Sequence, residues 1–290
     1  MNKIAIFGLG AIGSILTKYL IRDKNNQLSF FNRSPKSTLQ ISFKNKNETI
    51  PVTLSKPEKD DYDWMIICLK TYHLAEAKRN IRRLIGSKTK IVVFRNGLNL
   101  ADDFLDITDA QNILETIIDS PTQPQENGAY LQLRTPKITL PNHPSSQAFK
   151  ALFSNAEIHF DCIKDFKKAQ WEKLIESSSL GALMAIAGKP AIIFKDPIIR
   201  NQYIELIKEA MAVANSDGAI IPIRFSEELL EKLATYPDQK GSSMLTDRLA
   251  GKRLELGAKI GVIVEIGIRN KVNIPKSKMI YQELLENYGS

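Results

Sequence analysis

The spacing of apolar residues changes character part-way along the chain. In the first hundred residues, short apolar runs alternate with stretches of helical period. Residues 3–7 (Lys-Ile-Ala-Ile-Phe) form a short run ended by Gly8, the pattern of a strand buried on both faces. Residues 11–22 place Ile12, Ile15, Leu16, Tyr19 and Leu20 at helical spacing. Residues 28–31 read as a second strand, and a polar, uneven stretch follows to about residue 56. Residues 64–69 (Trp-Met-Ile-Ile-Cys-Leu) are continuously apolar, residues 72–85 are helical with Ala75, Ile81, Leu84 and Ile85 inward, and residues 90–94 form another strand. This order predicts a doubly wound parallel sheet.

Between residues 112 and 160 the pattern shortens. Residues 116–118, 129–133 and 138–140 read as strands between Pro- and Asn-rich turns, and are expected to extend the same sheet, partly antiparallel. After Cys162 the period is helical. Helices are predicted over 164–187, 197–217, 226–235, 242–269 and 275–287, with breaks at Gly188, Pro222, Pro237 and Pro275. The expected fold is α/β: an N-terminal Rossmann-type dinucleotide-binding domain over 1–164, then an all-helical domain over 165–290 that carries substrate and catalysis.

Composition narrows the function. The 290 residues carry 40 Lys and Arg against 32 Asp and Glu, and 43% are hydrophobic. Whole-chain disorder is excluded. No apolar run approaches the ~18 residues of a membrane span, and the start, broken at once by Gly8, does not read as a signal peptide. Two cysteines, Cys68 and Cys162, and three histidines offer no disulfide scaffold and no metal site. A cytoplasmic protein is expected. The net charge of +8 suits anionic small molecules. Its densest cluster, Lys78, Arg79, Arg82, Arg83 and Lys88, has the spacing of a solvated helix face, so nucleic acid is not an expected partner.

Gly8-Leu9-Gly10-Ala11-Ile12-Gly13 follows the first strand and opens the first helix. Gly8 permits the tight turn, Gly10 lets a pyrophosphate approach the backbone, and Gly13 lets the helix lie close to the sheet. The helix start adds free N–H groups and the positive end of a dipole. The second strand ends in Asn32-Arg33-Ser34, with Lys36 nearby, where an NAD-binding unit usually carries an acid. A guanidinium and a hydroxyl suit a 2′-phosphate instead, so NADP(H) is the expected cofactor. Lys70 and Asn96-Gly97 follow the next two strands, at the edge where open α/β sheets bind ligands. Lys173, Ser177 and Gly181 share one stripe of a helix, which reads equally as a cleft lining or a close helix contact. Ser242 or Ser243 is a candidate helix cap, and Glu255 a candidate ion-pair partner of Lys259.

Together these segments resemble the ketopantoate reductase (2-dehydropantoate 2-reductase) family along the whole chain. The resemblance rests on the GxGxxG, Cys-Leu-Lys70-Thr, Asn96-Gly97, Trp171-x-Lys173-Leu174, and Ser242-Ser243-Met244 followed by Glu255. Glu255 lies twelve residues after Ser243, the separation the family shows between its substrate-binding serine and its glutamate. The resemblance implies NADPH-dependent reduction of a 2-keto acid, most simply ketopantoate to (R)-pantoate in pantothenate and coenzyme A biosynthesis. It implies Lys173 and Glu255 as catalytic residues, Glu255 also binding the substrate's hydroxyls. Ser243 binds the carboxylate, Asn96 and Ser177 contact substrate, and Lys70 and Asn96 position the cofactor. A D-2-hydroxyacid dehydrogenase for branched or aromatic 2-keto acids is the alternative. A non-enzymatic NADP(H) sensor on the same fold would need neither Lys173 nor Glu255. A homodimer through the helical domain is a candidate assembly.

The chain departs from the family one and two turns after the lysine. Ser177 and Gly181 stand where asparagines are usual, and a further asparagine falls on Ala191. These changes predict a roomier pocket that reads substrate hydroxyls less strictly.

Overall fold

The computed structural model describes residues 1–58, 61–154 and 156–289. It divides into two compact units: Met1–Arg95 with Asn99–Phe166, and Asn96–Leu98 with the chain from Lys167 onward. A boundary drawn along the sequence near residue 164 does not anticipate that Asn96–Leu98 clusters with the second unit.

The first unit begins with β1 (Asn2–Phe7), α1 (Ala11–Leu20), β2 (Asn26–Phe31), β3 (Thr38–Phe43), β4 (Lys46–Pro51), β5 (Trp64–Ile67), α2 (Thr71–Leu84), β6 (Lys90–Val93) and β7 (Ile113–Glu115). A five-stranded sheet has the order β2-β1-β5-β6-β7, all parallel. Alternate β1 residues serve opposite faces. Ile4 and Ile6 join Ile15 and Leu16 of α1, while Ala5 and Phe7 join Leu74, Ile81 and Leu84 of α2. Two covered faces explain why the strand sequence is continuously apolar.

The stretch read as uneven holds the β3–β4 hairpin. Its two-residue turn is Lys44-Asn45, both at positive φ, the conformation that matches strand twist in short hairpins. The signal was present as period two, with Leu39 and Ile41 buried and Thr38 and Gln40 exposed.

Then come β8 (Ile117–Asp119), β9 (Thr122–Pro124), β10 (Tyr130–Gln132), β11 (Lys137–Pro141), α3 (Pro144–Ala151) and β12 (His159–Ile163). They do not extend the main sheet as expected; β7 alone joins it. β9 and β10 complete a four-stranded sheet in the order β4-β3-β10-β9, and β8, β11 and β12 form a separate three-stranded one. Three-residue strands carry too little side-chain pattern to specify a pairing edge. One fastening is a buried lysine. Lys18 of α1 lies 3.2 Å from Glu48 of β4 and 3.2 Å from Gln132 of β10. Burial lowers its pKa, opposed by Glu48.

The basic face of α2 is partly paired. Lys78 and Arg82 both reach Asp106, and Lys78 first, then Arg82, hold that carboxyl below its ordinary range.

The second unit is helical: α4 (Phe166–Ala187), a 3₁₀ turn at Ala191–Lys195, α5 (Pro197–Ser216), α6 (Phe225–Ala234), α7 (Ser243–Leu249), a π-turn at Gly257–Gly261 running into α8 (Val262–Arg269), and α9 (Pro275–Tyr288). The single helix expected over 242–269 is therefore broken. Gly251 turns at φ +61°, and residues 252–255 are not helical. α4 runs through the core, with Ser178 to Ala185 all buried. Small residues there let neighbouring helices approach closely. Among the described residues no helix is long and apolar enough to cross a membrane.

Candidate active site

The loop after β1 is built on its glycines. Gly8 sits at φ +92°, and a Cβ there would lie 2.8 Å from the Cys68 carbonyl oxygen. A Cβ on Gly13 would lie 1.9 Å from the Gly8 carbonyl oxygen. These two glycines serve the chain's own packing. Gly10 differs: a Cβ there would meet nothing within 4 Å. It is the N-cap of α1, which has no side-chain cap, so open space faces the uncapped start of a helix. The loop thus fits a phosphate group. Gly13→Ala is expected to cost about 1–3 kcal/mol by overpacking, read as a lowered Tm of the first unit. An unchanged Tm would show that the loop yields.

Asn32 braces this loop. Its Oδ1 accepts from the Leu9 N–H at 2.9 Å, and its Nδ2 donates to the Ser34 carbonyl at 2.8 Å. Lys36 donates to the Leu9 carbonyl at 3.1 Å and lies over the Tyr130 ring; burial lowers its pKa. Arg33 is exposed, and its Nη1 lies 3.3 Å from Nδ1 of His73 on α2. Sequence reading did not foresee His73, because α2 brings it beside a residue forty positions earlier. Lys70 is the N-cap of α2, which also lacks a side-chain cap. Burial pushes the Cys68 thiol up, which disfavours its thiolate.

In the second unit the predicted residues gather around α4. Trp171 is fully buried, and its Nε1 donates to Asp217 Oδ2 at 3.1 Å, tying α4 to the residue after α5. Further along, Glu176 accepts from Tyr236 Oη and pairs with Lys232 Nζ, both at 2.7 Å. Burial raises its carboxyl, but Lys232 and Tyr236 outweigh that and hold it below its ordinary range. These anchors fix the helix that presents Lys173, which is half-buried.

One turn after Lys173, Ser177 Oγ accepts from Lys259 Nζ at 2.9 Å. Lys259 is only 2% exposed. Glu255, one helical turn's worth of residues earlier, is 6% exposed and accepts from Asn96 Nδ2 at 3.2 Å. The Asn96 turn depends on Gly97 at φ +114°. The Ser177–Lys259 and Asn96–Glu255 pairs both lie in the second unit, and Lys173 stands one turn from Ser177 on α4.

The small residue at Gly181 does not leave the open space expected of it. A Cβ on Gly181 would lie 2.9 Å from Met244 Sδ. The missing side chain there is replaced by Met244, and the polar group one turn earlier is joined by Lys259. At Gly181 the stripe is a close helix contact, while Lys173 and Ser177 are half-buried. Met244 also sets α7 against α4. Ser242, not Ser243, caps α7, accepting from the Leu245 N–H at 3.1 Å. Ser243 is the exposed first residue of that helix. Among the described residues, no cluster of His, Cys, Asp or Glu is arranged to hold a metal ion.

The model of the family described as "Ketopantoate reductase PanE/ApbA" matches residues 4–145, and that of its C-terminal part matches residues 165–287. The chain belongs to the ketopantoate reductase family. Ketopantoate reductases are oxidoreductases, and among the relatives is the 2-dehydropantoate 2-reductase of Caulobacter vibrioides, 27% identical over 282 residues and 97% of each chain. A dimeric ketopantoate reductase from Staphylococcus aureus has the same fold, with TM-score 0.88 at 21% identity, covering 99% of this chain and 98% of that one. So does a D-mandelate dehydrogenase solved with NADH and anilino(oxo)acetate, with TM-score 0.88 at 18% identity and the same coverage.

Sequence reading did not foresee Lys259 at Ser177 and Met244 at Gly181 in the second unit, or His73 at Arg33 in the first. Lys259 had one signal in sequence, a lysine inside an apolar helical stretch.

Proposed function

We propose that this protein is an NADPH-dependent 2-keto acid reductase whose leading substrate is 2-dehydropantoate, reduced to (R)-pantoate for pantothenate and coenzyme A synthesis. The observation that supports the reading is the Asn96–Glu255 hydrogen bond in the same unit as Lys173 and Ser177, in a member of this family.

The cofactor would be held by the Gly8–Gly13 loop, including Leu9, Ala11 and Ile12, with Arg33 at the 2′-phosphate and Lys70 beside it; Asn32 keeps the loop in shape. When bound, the dinucleotide supplies the hydride. The Lys173 ammonium hydrogen-bonds the keto oxygen, stabilises the charge that grows on it and delivers the proton. Glu255, oriented by Asn96, accepts from a substrate hydroxyl. Ser243 offers the carboxylate a hydroxyl at the start of α7. Arg33→Asp is expected to weaken NADPH by about 10- to 100-fold and leave NADH little changed, since it removes a charge-assisted contact. Fluorescence titration with both cofactors checks this. Equal affinities in the unaltered protein would overturn the NADPH preference.

The deciding experiment is steady-state NADPH oxidation with ketopantoate, 2-ketoisovalerate, 2-ketoisocaproate and phenylglyoxylate. The highest kcat/KM is expected for ketopantoate. A highest value for phenylglyoxylate would favour the second reading, a D-2-hydroxyacid dehydrogenase. That reading is supported by the Met244 thioether at Gly181, which gives the site an apolar wall. A homodimer through the helical unit is also proposed, in keeping with the dimeric Staphylococcus aureus relative and with exposed Ile198, Ile220 and Ile223 in this unit.

A further inference from the structure

We propose that Lys36 is a second countercharge for the cofactor's 2′-phosphate, beside Arg33, and so a determinant of selectivity for NADPH over NADH. The proposal rests on the reading of the protein as NADPH-dependent.

Lys36 lies four residues after Asn32, in the loop between β2 and β3. Its ammonium has a defined place. Nζ donates to the Leu9 carbonyl at 3.1 Å and lies 5.1 Å from the centre of the Tyr130 ring. Asn32 holds the same residue, accepting from the Leu9 N–H at 2.9 Å. Lys36 and Asn32 therefore meet at one residue of the glycine loop. In dinucleotide-binding units an acid near the end of the second strand reaches the ribose 2′-hydroxyl. Asn32 stands at that place here, so a 2′-phosphate falls beside Lys36. Arg33 is held from another direction, with its Nη1 3.3 Å from Nδ1 of His73 on α2. The two cations are thus fixed by different elements around one position.

The surroundings of Lys36 suit a bound anion. The side chain is half-buried, and burial lowers its pKa. Among the described residues its partners are the Leu9 carbonyl and the Tyr130 ring, and no carboxylate pairs with it. A carbonyl dipole and a ring face offset only part of the cost of desolvating an ammonium. A phosphate dianion completes the compensation, and the contact gains strength from partial exclusion of water. Arg33, by contrast, is exposed, where solvent and salt screen its charge. An unphosphorylated ribose brings no charge to Lys36 and leaves the desolvated ammonium as it was. Selectivity follows from that difference.

The test is the binding of adenosine 2′,5′-bisphosphate and adenosine 5′-monophosphate, followed by isothermal titration calorimetry. The two differ only in the 2′-phosphate and carry no nicotinamide. Their affinity ratio is measured for the unaltered protein, Lys36→Gln and Lys36→Met, with circular dichroism to identify variants that fold. Gln keeps a donor for the Leu9 carbonyl; Met keeps the length without charge or donor. Both variants are expected to lower the bisphosphate-to-monophosphate ratio by about 10- to 100-fold, with the monophosphate affinity little changed. An unchanged ratio in both variants would overturn the proposal while leaving the NADPH reading intact. An equal loss for the two nucleotides would make Lys36 a brace of the glycine loop or a partner of the 5′-phosphate, and also overturn it. Loss of the ratio in Met but not in Gln would assign the effect to the Leu9 hydrogen bond rather than to charge, with the same consequence. An unaltered protein that binds both nucleotides equally would remove the NADPH preference, and this proposal with it.

Discussion

Lys173→Ala is expected to bind NADPH normally and to lose about 10²–10⁴-fold in kcat. The lysine lies on α4 within the second unit, whereas the glycine loop proposed for the cofactor lies in the first. Its removal therefore leaves the proposed phosphate contacts untouched. What is lost is the ammonium that meets charge growing on the keto oxygen and then gives it a proton. The helix itself should hold, because Trp171 and Glu176 anchor it on either side of the substitution. Single-turnover NADPH oxidation checks the outcome, with cofactor affinity measured on the same sample. A near-normal kcat would mean that the proton comes from another group, and Lys259 would be the first to test.

Trp171→Ala is expected to destabilise the helical unit by about 3–5 kcal/mol, the range for deleting a large buried aromatic side chain. Trp171 is 0% exposed and lies among the apolar residues of the second unit's core. The substitution leaves a cavity under α4 and removes the Nε1 hydrogen bond to Asp217. Asp217 also pairs with Lys167 and Arg269, so its carboxylate keeps partners and most of the loss comes from packing. Chemical denaturation followed by circular dichroism gives the stability change. A loss below about 1 kcal/mol would show that neighbouring side chains collapse into the space. Because Lys173 is two residues away, a folded fraction of this variant should also show a lower kcat.

Several features were legible in the order of residues. The parallel sheet could be read because its strands are covered on both faces and so are apolar throughout, as at Ile66 and Val92. The glycine loop could be read because Gly8 and Gly13 are required by contacts within a few residues or by the adjacent strand. The helices of the second unit, α4 and α5 above all, follow from period and from the proline at the start of α5. The short strands after β7 were legible as strands but not as members of particular sheets, since pairing is a long-range choice.

The sequence by itself determined the two kinds of architecture, the glycine loop proposed for the cofactor's phosphates, and the residue types proposed for catalysis, because each depends on local period, local backbone freedom or side-chain chemistry. Only the tertiary structure decided what occupies the places where Ser177 and Gly181 replace larger side chains. Read along the chain, the two small residues imply empty space. In the fold, Met244 fills the position beside Gly181, and Lys259, eighty-two residues from Ser177, delivers an ammonium to its hydroxyl. Close packing decides this outcome: a core side chain is answered by whatever the fold brings opposite it, and no local pattern records which residue that is.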